Sequence, residues 1–209
     1  MVKIIQYFLI ILIPPIIILG NFNSLIFNLG FYQKIYREVG VYQDFSDVEK
    51  VDNATKNLFG FFKSKDKLDD QFYSQQAKLH LSDVKRSINL ETNYFFLFAI
   101  TFIICAAILM YKHQFKKLLQ AVFISSISTF VTILFLSIGV LNFFDKFFEK
   151  FHKVIFNNNL WLFPAGDNLI RLFPQQFFIS FADSLAKNIL ITSFLLTIIT
   201  LILIKKAFK

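Results

Sequence analysis

The sequence YFFLFAITFIICAAILMY, residues 94–111, contains no charged side chain. As an α-helix it would be about 27 Å long, close to the thickness of the hydrocarbon core of a bilayer. A second uncharged stretch, residues 118–144, follows a short lysine-rich interval. The chain is 56% hydrophobic and 17% charged over 209 residues. This balance predicts a membrane protein, because a soluble domain of that size has no core large enough to bury so much apolar surface.

Two further apolar segments flank this pair, at residues 4–20 and 188–204. The sequence therefore predicts four transmembrane helices, at residues 4–20, 94–111, 118–144 and 188–204. A cleaved signal peptide is the alternative for the first segment, since Lys3 precedes its apolar run. No small-residue cleavage site follows this run, which favours a retained helix.

The placement of charges predicts the orientation of these helices. The tract before residue 4, the 112–117 loop and the tail after residue 204 contain lysines and no acidic residue. All 14 acidic residues lie in residues 21–93 and 145–187, where they nearly balance the basic ones. By the positive-inside rule, both termini and the 112–117 loop are cytoplasmic in the cell membrane. We expect an all-α polytopic membrane protein whose two outer tracts form a small extracytoplasmic helical cap.

The first outer tract, residues 21–93, carries a candidate functional histidine. Apolar residues recur at helical spacing over residues 68–90, with Ser64 or Asp66 as the expected cap. Within this helix His80 and Asp83 are one turn apart, so the carboxylate could orient the imidazole. The alternative is a solvated surface histidine beside an unrelated acid.

The second outer tract contains an unusual mixture of residues in FHKVIFNNNLWLFPAGDNLIRLFPQQFF, residues 151–178. A histidine, three consecutive asparagines, the single tryptophan and two prolines share this connection between two apolar segments. We predict a helix or re-entrant segment in the membrane interface, with Trp161 at headgroup depth. The alternative is an amphipathic anchor whose polar side chains only face water.

The two outer histidines are expected to lie close together. His80 precedes the second span by about 14 residues and His152 follows the third span, so both belong near the outer ends of sequential helices. Two imidazoles at a membrane surface suit proton transfer near neutral pH. The third histidine, His113, falls in the lysine-rich cytoplasmic loop and is interpreted as solvated.

The motifs HLSDVK at residues 80–85 and FHKVIFNNNLW at residues 151–161 resemble those of a bacterial membrane family that includes the lipoprotein intramolecular transacylases, Lit. The resemblance extends over essentially the whole chain. It implies a cofactor-independent acyltransferase, with His80 and His152 as the catalytic pair. Its substrates would be lipid-modified lipoproteins, in which the sn-2 acyl chain of the diacylglyceryl-cysteine moves to the α-amino group of that cysteine and leaves a lyso-form lipoprotein.

This reaction assigns expected roles to the polar residues of both tracts. One of His80 and His152 would act as base on the amine and the other as acid or oxyanion donor, with Asp83 orienting His80. Which histidine does which is left open. The other supporting residues are Asn157, Asn158 and Trp161, as neutral donors to the oxyanion, and Asp167 with Arg171, which would brace the loop.

Other functions fit the sequence less well. Cys105 lies in the middle of a predicted span, no Gly-x-Ser-x-Gly elbow is present, and a zinc site would have only the two histidines and one aspartate. The basic residues flank the spans and form no patch for nucleic acid. Two alternatives remain: a non-catalytic membrane scaffold or partner subunit, with its histidines well beyond about 10 Å apart, and an enzyme that acts on free phospholipid. The oligomeric state is left undetermined.

Overall fold

The computed structural model describes residues 1–206, and within that range it contains nine α-helices and no β-strand. The expected all-α fold is therefore confirmed. The helices are Val2–Ile26 (α1), Leu29–Val39 (α2), Val41–Phe45 (α3), Val48–Phe62 (α4), Gln75–Tyr111 (α5), Phe115–Asn142 (α6), Phe144–Ile155 (α7), Asn168–Leu172 (α8) and Gln175–Lys206 (α9).

Four of these helices, α1, α5, α6 and α9, are long and apolar enough to cross a membrane. Each contains one of the predicted spans, although the third span was expected to continue to Phe144. That helix, α6, ends at Asn142, and Phe144 begins α7 after a turn at Phe143. Phe144 is buried, and its ring centroid lies 5.9 Å from that of Phe148, one turn later in α7, so it belongs to the packing of α7 rather than to the span. The protein is a multi-pass membrane protein.

The helix that carries His80 begins later than predicted. Ser64 lies in a turn and has a positive φ of 57°. Helix α5 starts only at Gln75. The N-terminal cap is Ser74, whose Oγ accepts a hydrogen bond from the Ala77 amide at 3.1 Å. From there α5 continues without a break through the second span, so the predicted outer helix and that span are one element of 37 residues.

One compact unit contains the apolar helices: Met1–Ser24, Glu91–Gly139 and the chain from Ser184. Its core includes Leu9, Ile13, Leu109, Ala121 and Ile189. Much of the remaining apolar surface is exposed, including Ile103 and Phe135 at 63% and 69%. Apolar side chains that face outward from a four-helix unit are expected where lipid is the solvent.

A second unit contains the outer tracts: Leu25–Leu90 and Val140–Asp183. Its core is rich in aromatic side chains. The hydroxyl of the fully buried Tyr36 lies 2.9 Å from that of Thr55, and the Tyr73 hydroxyl donates to the Ala54 carbonyl at 2.8 Å. Because these buried polar groups are paired, the core of this unit holds its helices in fixed register. Both outer histidines belong to this unit.

Candidate active site

The two outer histidines lie side by side in the second unit. The ring centroids of His80, on α5, and His152, on α7, are 6.1 Å apart and their planes differ by 28°. Both are largely buried, with 7% and 8% of their surface exposed. This separation is well below the distance of about 10 Å that the scaffold alternative predicted. His113 lies away from them in the sequence and is exposed, in the turn after α5.

The sequence of α7 explains why His152 points inward. Phe144, Phe148 and His152 are four residues apart, so they share one face of the helix, and Phe144 and His152 are buried. The Nδ1 atom of His152 lies 2.8 Å from the carbonyl oxygen of Phe148. A carbonyl oxygen only accepts, so Nδ1 carries the proton in this bond. In the neutral ring, Nε2 is then left as a hydrogen-bond acceptor and a base.

Aromatic rings surround both imidazoles. Around His152 the centroid distances are 4.1 Å to Phe148, 4.9 Å to Trp161, 5.5 Å to Phe151 and 5.7 Å to Phe156. Around His80 they are 5.0 Å to Phe156 and 5.7 Å to Phe163. Such rings exclude water, so a protonated, positively charged imidazole would lose its hydration at this site.

This environment keeps both histidines neutral at neutral pH. Burial lowers the pKa of His80 from 6.5 to about 4, with a further lowering from His152 and an opposing effect of the Asp83 charge. Burial also lowers the pKa of His152, and the hydrogen bond to the Phe148 carbonyl opposes that shift. Perturbed pKa values produced by burial at a paired site are a feature of functional sites.

Asp83 was expected to orient His80, but it forms no hydrogen bond with His80 Nδ1. The Asp83 carboxylate accepts a hydrogen bond from Asn158 Nδ2 at 2.9 Å. The Nδ1 atom of His80 is buried and has no hydrogen-bond partner among residues 1–206. Asp83 therefore influences His80 through its charge, because one turn of helix separates the two side chains and the carboxylate is already paired with the loop after α7.

The proposed oxyanion donors are also engaged in the loop. The Trp161 indole donates from Nε1 to the Asn158 carbonyl at 3.1 Å, so it is not a free donor. The Asn158 side chain bridges two partners: it donates to Asp83 and its Oδ1 accepts from the Leu160 amide at 3.0 Å. Asn157 is exposed to solvent. These bonds fix the shape of the loop, and the donation of Asn157 and Asn158 to a substrate oxyanion stays a prediction.

Asp167 and Arg171 make their contacts separately, with the first outer tract. Asp167 caps α8 by accepting from the Leu169 amide at 2.8 Å, and it accepts from Ser74 Oγ at 2.7 Å. Arg171 donates from Nε to Asp44 Oδ2 at 2.7 Å and from Nη2 to the Asp44 carbonyl at 2.8 Å. Both residues thus tie the second outer tract to the first.

Sequence reasoning missed Gln76 and Phe148. Gln76, one turn before His80, donates from Nε2 to the carbonyls of Leu160 and Leu162 at 3.0 and 2.8 Å. Phe148 supplies the carbonyl that fixes the proton of His152. Its position four residues before His152 was the available signal, since a helical residue can reach the carbonyl one turn earlier.

No cluster of three or more His, Cys, Asp or Glu side chains in the described part of the chain is arranged to hold a metal ion. A zinc site made from the two histidines and an aspartate would need a third donor close to both rings. Asp83, the nearest candidate in sequence, is bonded to Asn158. The arrangement consists of two neutral imidazoles, which suit proton transfer and hydrogen bonding to a substrate.

Similar proteins were found by sequence and by structure. A protein of Aquifex aeolicus (strain VF5), named only as uncharacterized, is 28% identical over 185 residues, or 81% of each chain. The membrane integral lipoprotein intramolecular transacylase Lit from Bacillus cereus has a similar fold, with a TM-score of 0.88 over 99% of this chain and 97% of that one, at 21% identity. A structure of that protein with a histidine-to-alanine substitution gives a TM-score of 0.80 at 19% identity, over 99% of this chain and 95% of that one.

The family comparison covers most of the chain. The sequence model of the lipoprotein intramolecular transacylase Lit matches residues 7–178, a range that includes both histidines and the loop between α7 and α8. The structural likeness covers nearly the whole length of both proteins. This chain belongs to the Lit family of lipoprotein intramolecular transacylases.

Proposed function

We propose that this protein transfers an acyl chain within a lipoprotein, from the diacylglyceryl group of the N-terminal cysteine to the α-amino group of the same residue. The product is a lyso-form lipoprotein with an N-acyl cysteine. Family membership supports the reaction class, and the paired histidines support the mechanism. The observation that carries the proposal is the 6.1 Å separation of two buried imidazoles within the matched region.

The reaction needs no nucleophile from the protein. The α-amine attacks the carbonyl carbon of the sn-2 ester, a C–N bond forms, and the C–O bond to glycerol breaks as the tetrahedral intermediate collapses. The proton lost by the amine nitrogen is gained by the glycerol oxygen, so the reaction is balanced without a co-reactant. Holding both groups in contact supplies a large effective molarity, worth about 7–11 kcal/mol in well-oriented cases.

His152 is the general base in this proposal. The carbonyl of Phe148 holds the proton on Nδ1, so Nε2 of the neutral ring presents a lone pair. Burial lowers the pKa of His152, which keeps the ring unprotonated at neutral pH. Nε2 takes the proton from the attacking amine and returns it to the departing glycerol oxygen, as a single base does when the two sites are within its reach.

His80 stabilises the oxyanion in this proposal. Its Nδ1 is buried without a partner among the described residues, so a substrate oxygen would satisfy it. A neutral imidazole donates through one N–H. The pKa of His80, about 4, keeps its ring neutral while His152 carries the proton. A donor fixed in a dry site is worth about 3–4 kcal/mol of transition-state stabilisation in comparable oxyanion holes.

The orientation follows from the charge pattern. Because the lysines of the termini and the 112–117 loop are accompanied by no acidic residue, both termini face the cytoplasm and the histidine pair faces outward in this proposal. Lipid-modified lipoproteins reside in that outer leaflet by their acyl chains, each buried methylene contributing about 0.8 kcal/mol to their retention. In this proposal the acyl chains of the substrate therefore stay in the membrane during the reaction.

The test is mass spectrometry of lipoprotein N-terminal peptides from a host that lacks N-terminal lipoprotein acylation. The host would express the native chain, His80→Gln, His152→Gln, or the control variant His113→Asn. Asparagine is chosen because His113 has a φ of 54°, which asparagine tolerates. Expected are lyso-form peptides with N-acyl cysteine from the native chain and the control, and at least about 100-fold less from either other variant.

Two results would contradict the proposal. Unchanged diacylglyceryl peptides from a well-expressed native chain would favour a scaffold. Loss of an acyl chain from free phospholipid, without any change in the peptides, would favour an enzyme with a phospholipid substrate.

A further inference from the structure

Helix α7 has a second apolar face that points away from the protein. Phe147, Phe151 and Val154 recur at i, i+4 and i+7, so they share one side of the helix. They are 45%, 46% and 70% exposed, whereas Phe144 and His152 on the neighbouring side are buried. A contiguous exposed apolar patch of this kind is typical of a surface that contacts another molecule or a membrane.

Two lysines border this face. Lys146 and Lys150 are exposed, and neither forms an ion pair with a carboxylate in residues 1–206. The acidic side chains of α7 are engaged, because Glu149 pairs with Lys153 and Asp145 accepts from Gln175. Lys146 and Lys150 therefore carry positive charge that no ion pair of the described residues takes up, and α7 has three lysines against two acidic residues.

The start of α7 lies close in the chain to the end of a candidate membrane span. α6 ends at Asn142 and α7 begins at Phe144, so at most about 8 Å of chain separates them. A cavity of about 350 Å³ lies at this junction, with both polar and apolar walls. Its lining includes Phe143, Lys146, Gln175 and Ile179.

We propose that α7 lies in the interface of an anionic phospholipid bilayer. Phe147, Phe151 and Val154 enter the boundary between headgroups and acyl chains, and Lys146 and Lys150 bind headgroup phosphates. Helices with an aromatic apolar face bordered by lysines bind such surfaces, and each lysine adds to the affinity for anionic lipid. Zwitterionic lipid offers the same apolar interface without net negative charge. The two lysines therefore favour an anionic bilayer over a zwitterionic one.

Helix α7 links the proposed lipid contact to the candidate active site. The same 12 residues carry the lipid-facing side chains and His152, whose Nδ1 bonds to the Phe148 carbonyl within the helix. Anionic lipid would thus stabilise the helix that holds the proposed general base. This last consequence rests on the proposed function, but the lipid contact itself does not.

The test measures lipid contact directly, in full-length protein reconstituted in vesicles. A single indole is placed on the exposed face by Val154→Trp, with Trp161→Phe removing the native one. Quenching by lipids with brominated acyl chains is compared in phosphatidylcholine vesicles and in vesicles containing 30% phosphatidylglycerol. The lysine variant is Lys146→Gln with Lys150→Gln. The matched control is Lys56→Gln with Lys65→Gln, which removes two exposed lysines from the other outer tract.

We expect quenching at least about twofold stronger in the anionic vesicles, lost in the Lys146→Gln, Lys150→Gln protein and kept in the control. Equal quenching in both vesicle types would overturn the role of anionic lipid. No quenching in either would overturn the lipid contact and leave a second copy or a partner protein on this face. Because the readout is fluorescence, a failure of the transacylase assay would leave this result unchanged.

Discussion

Asn158 donates a hydrogen bond to the Asp83 carboxylate at 2.9 Å and thereby joins α5 to the loop after α7. The same asparagine accepts the Trp161 indole N–H on its carbonyl, and Trp161 lies 4.9 Å from the His152 ring. One residue, through its side chain to Asp83 and its backbone carbonyl to Trp161, therefore connects the helix that carries His80 to the aromatic wall of His152. We therefore propose that Asn158 and Asp83 are positioning residues whose effects can be separated by substitution.

Asn158→Ala should lower the rate of acyl transfer about tenfold and leave expression unchanged. The substitution removes the bond to Asp83 and the bond from the Leu160 amide, each worth about 1 kcal/mol, and frees the loop that holds Trp161. The measurement is the rate of lyso-form production by purified protein. Asn159→Ala is the matched control, because Asn159 is an exposed neighbour that uses only its backbone carbonyl, and the prediction fails if both variants lose activity equally.

Asp83→Asn should change the titration of His80 more than the position of the loop. The amide oxygen still accepts from Asn158, but the charge that raises the pKa of His80 is gone, so that pKa should fall below about 4. Ring NMR of ¹³C-labelled histidine in detergent micelles would follow the titration. The control Glu49→Gln removes an exposed carboxylate of the same unit that forms no ion pair in residues 1–206, and it should leave the pKa of His80 unchanged. An upward shift in the Asp83 variant would contradict this prediction.

Acid should destabilise the fold through the two buried histidines. Their pKa values are lowered in the folded state, to about 4 for His80, so between about 6.5 and 4 the unfolded chain binds more protons. The free energy of unfolding therefore falls as pH falls through that range. Thermal unfolding in detergent would show a Tm that decreases on acidification. The Tm of the His80→Gln variant should decrease less steeply with falling pH. A pH dependence identical to that of the native chain would argue against the buried histidines as its cause.

Ser74→Ala should reduce the free energy of unfolding by about 1–2 kcal/mol. The Ser74 hydroxyl caps α5 by accepting from the Ala77 amide and donates to Asp167, so its loss leaves both groups without that partner. Thermal unfolding in detergent provides the measurement. Ser82→Ala removes an exposed hydroxyl that bonds only to the Lys78 carbonyl within α5, and it should change stability by less than about 0.5 kcal/mol. Equal effects of the two substitutions would contradict the cap.

The local sequence was sufficient for the number of spans and for the histidine pair. Residues 94–111 and 118–144 are apolar and contain no charge, and an apolar helix of that length satisfies its own backbone hydrogen bonds within a bilayer. The position of His80 before one span and of His152 after the next was enough to predict that they lie together. The family followed from the residues around the same two histidines and is confirmed by the match over residues 7–178.

Only the tertiary structure decided the partners of the polar side chains. Asp83 bonds to Asn158, 75 residues away, although His80 was the expected partner, and Arg171 bonds to Asp44, 127 residues away, a partner that the sequence did not indicate. A transmembrane segment is determined by the affinity of each residue for lipid, which depends on local composition. A hydrogen bond depends on atomic positions within a few tenths of an ångström, and those positions are set by helices packed together from distant parts of the chain.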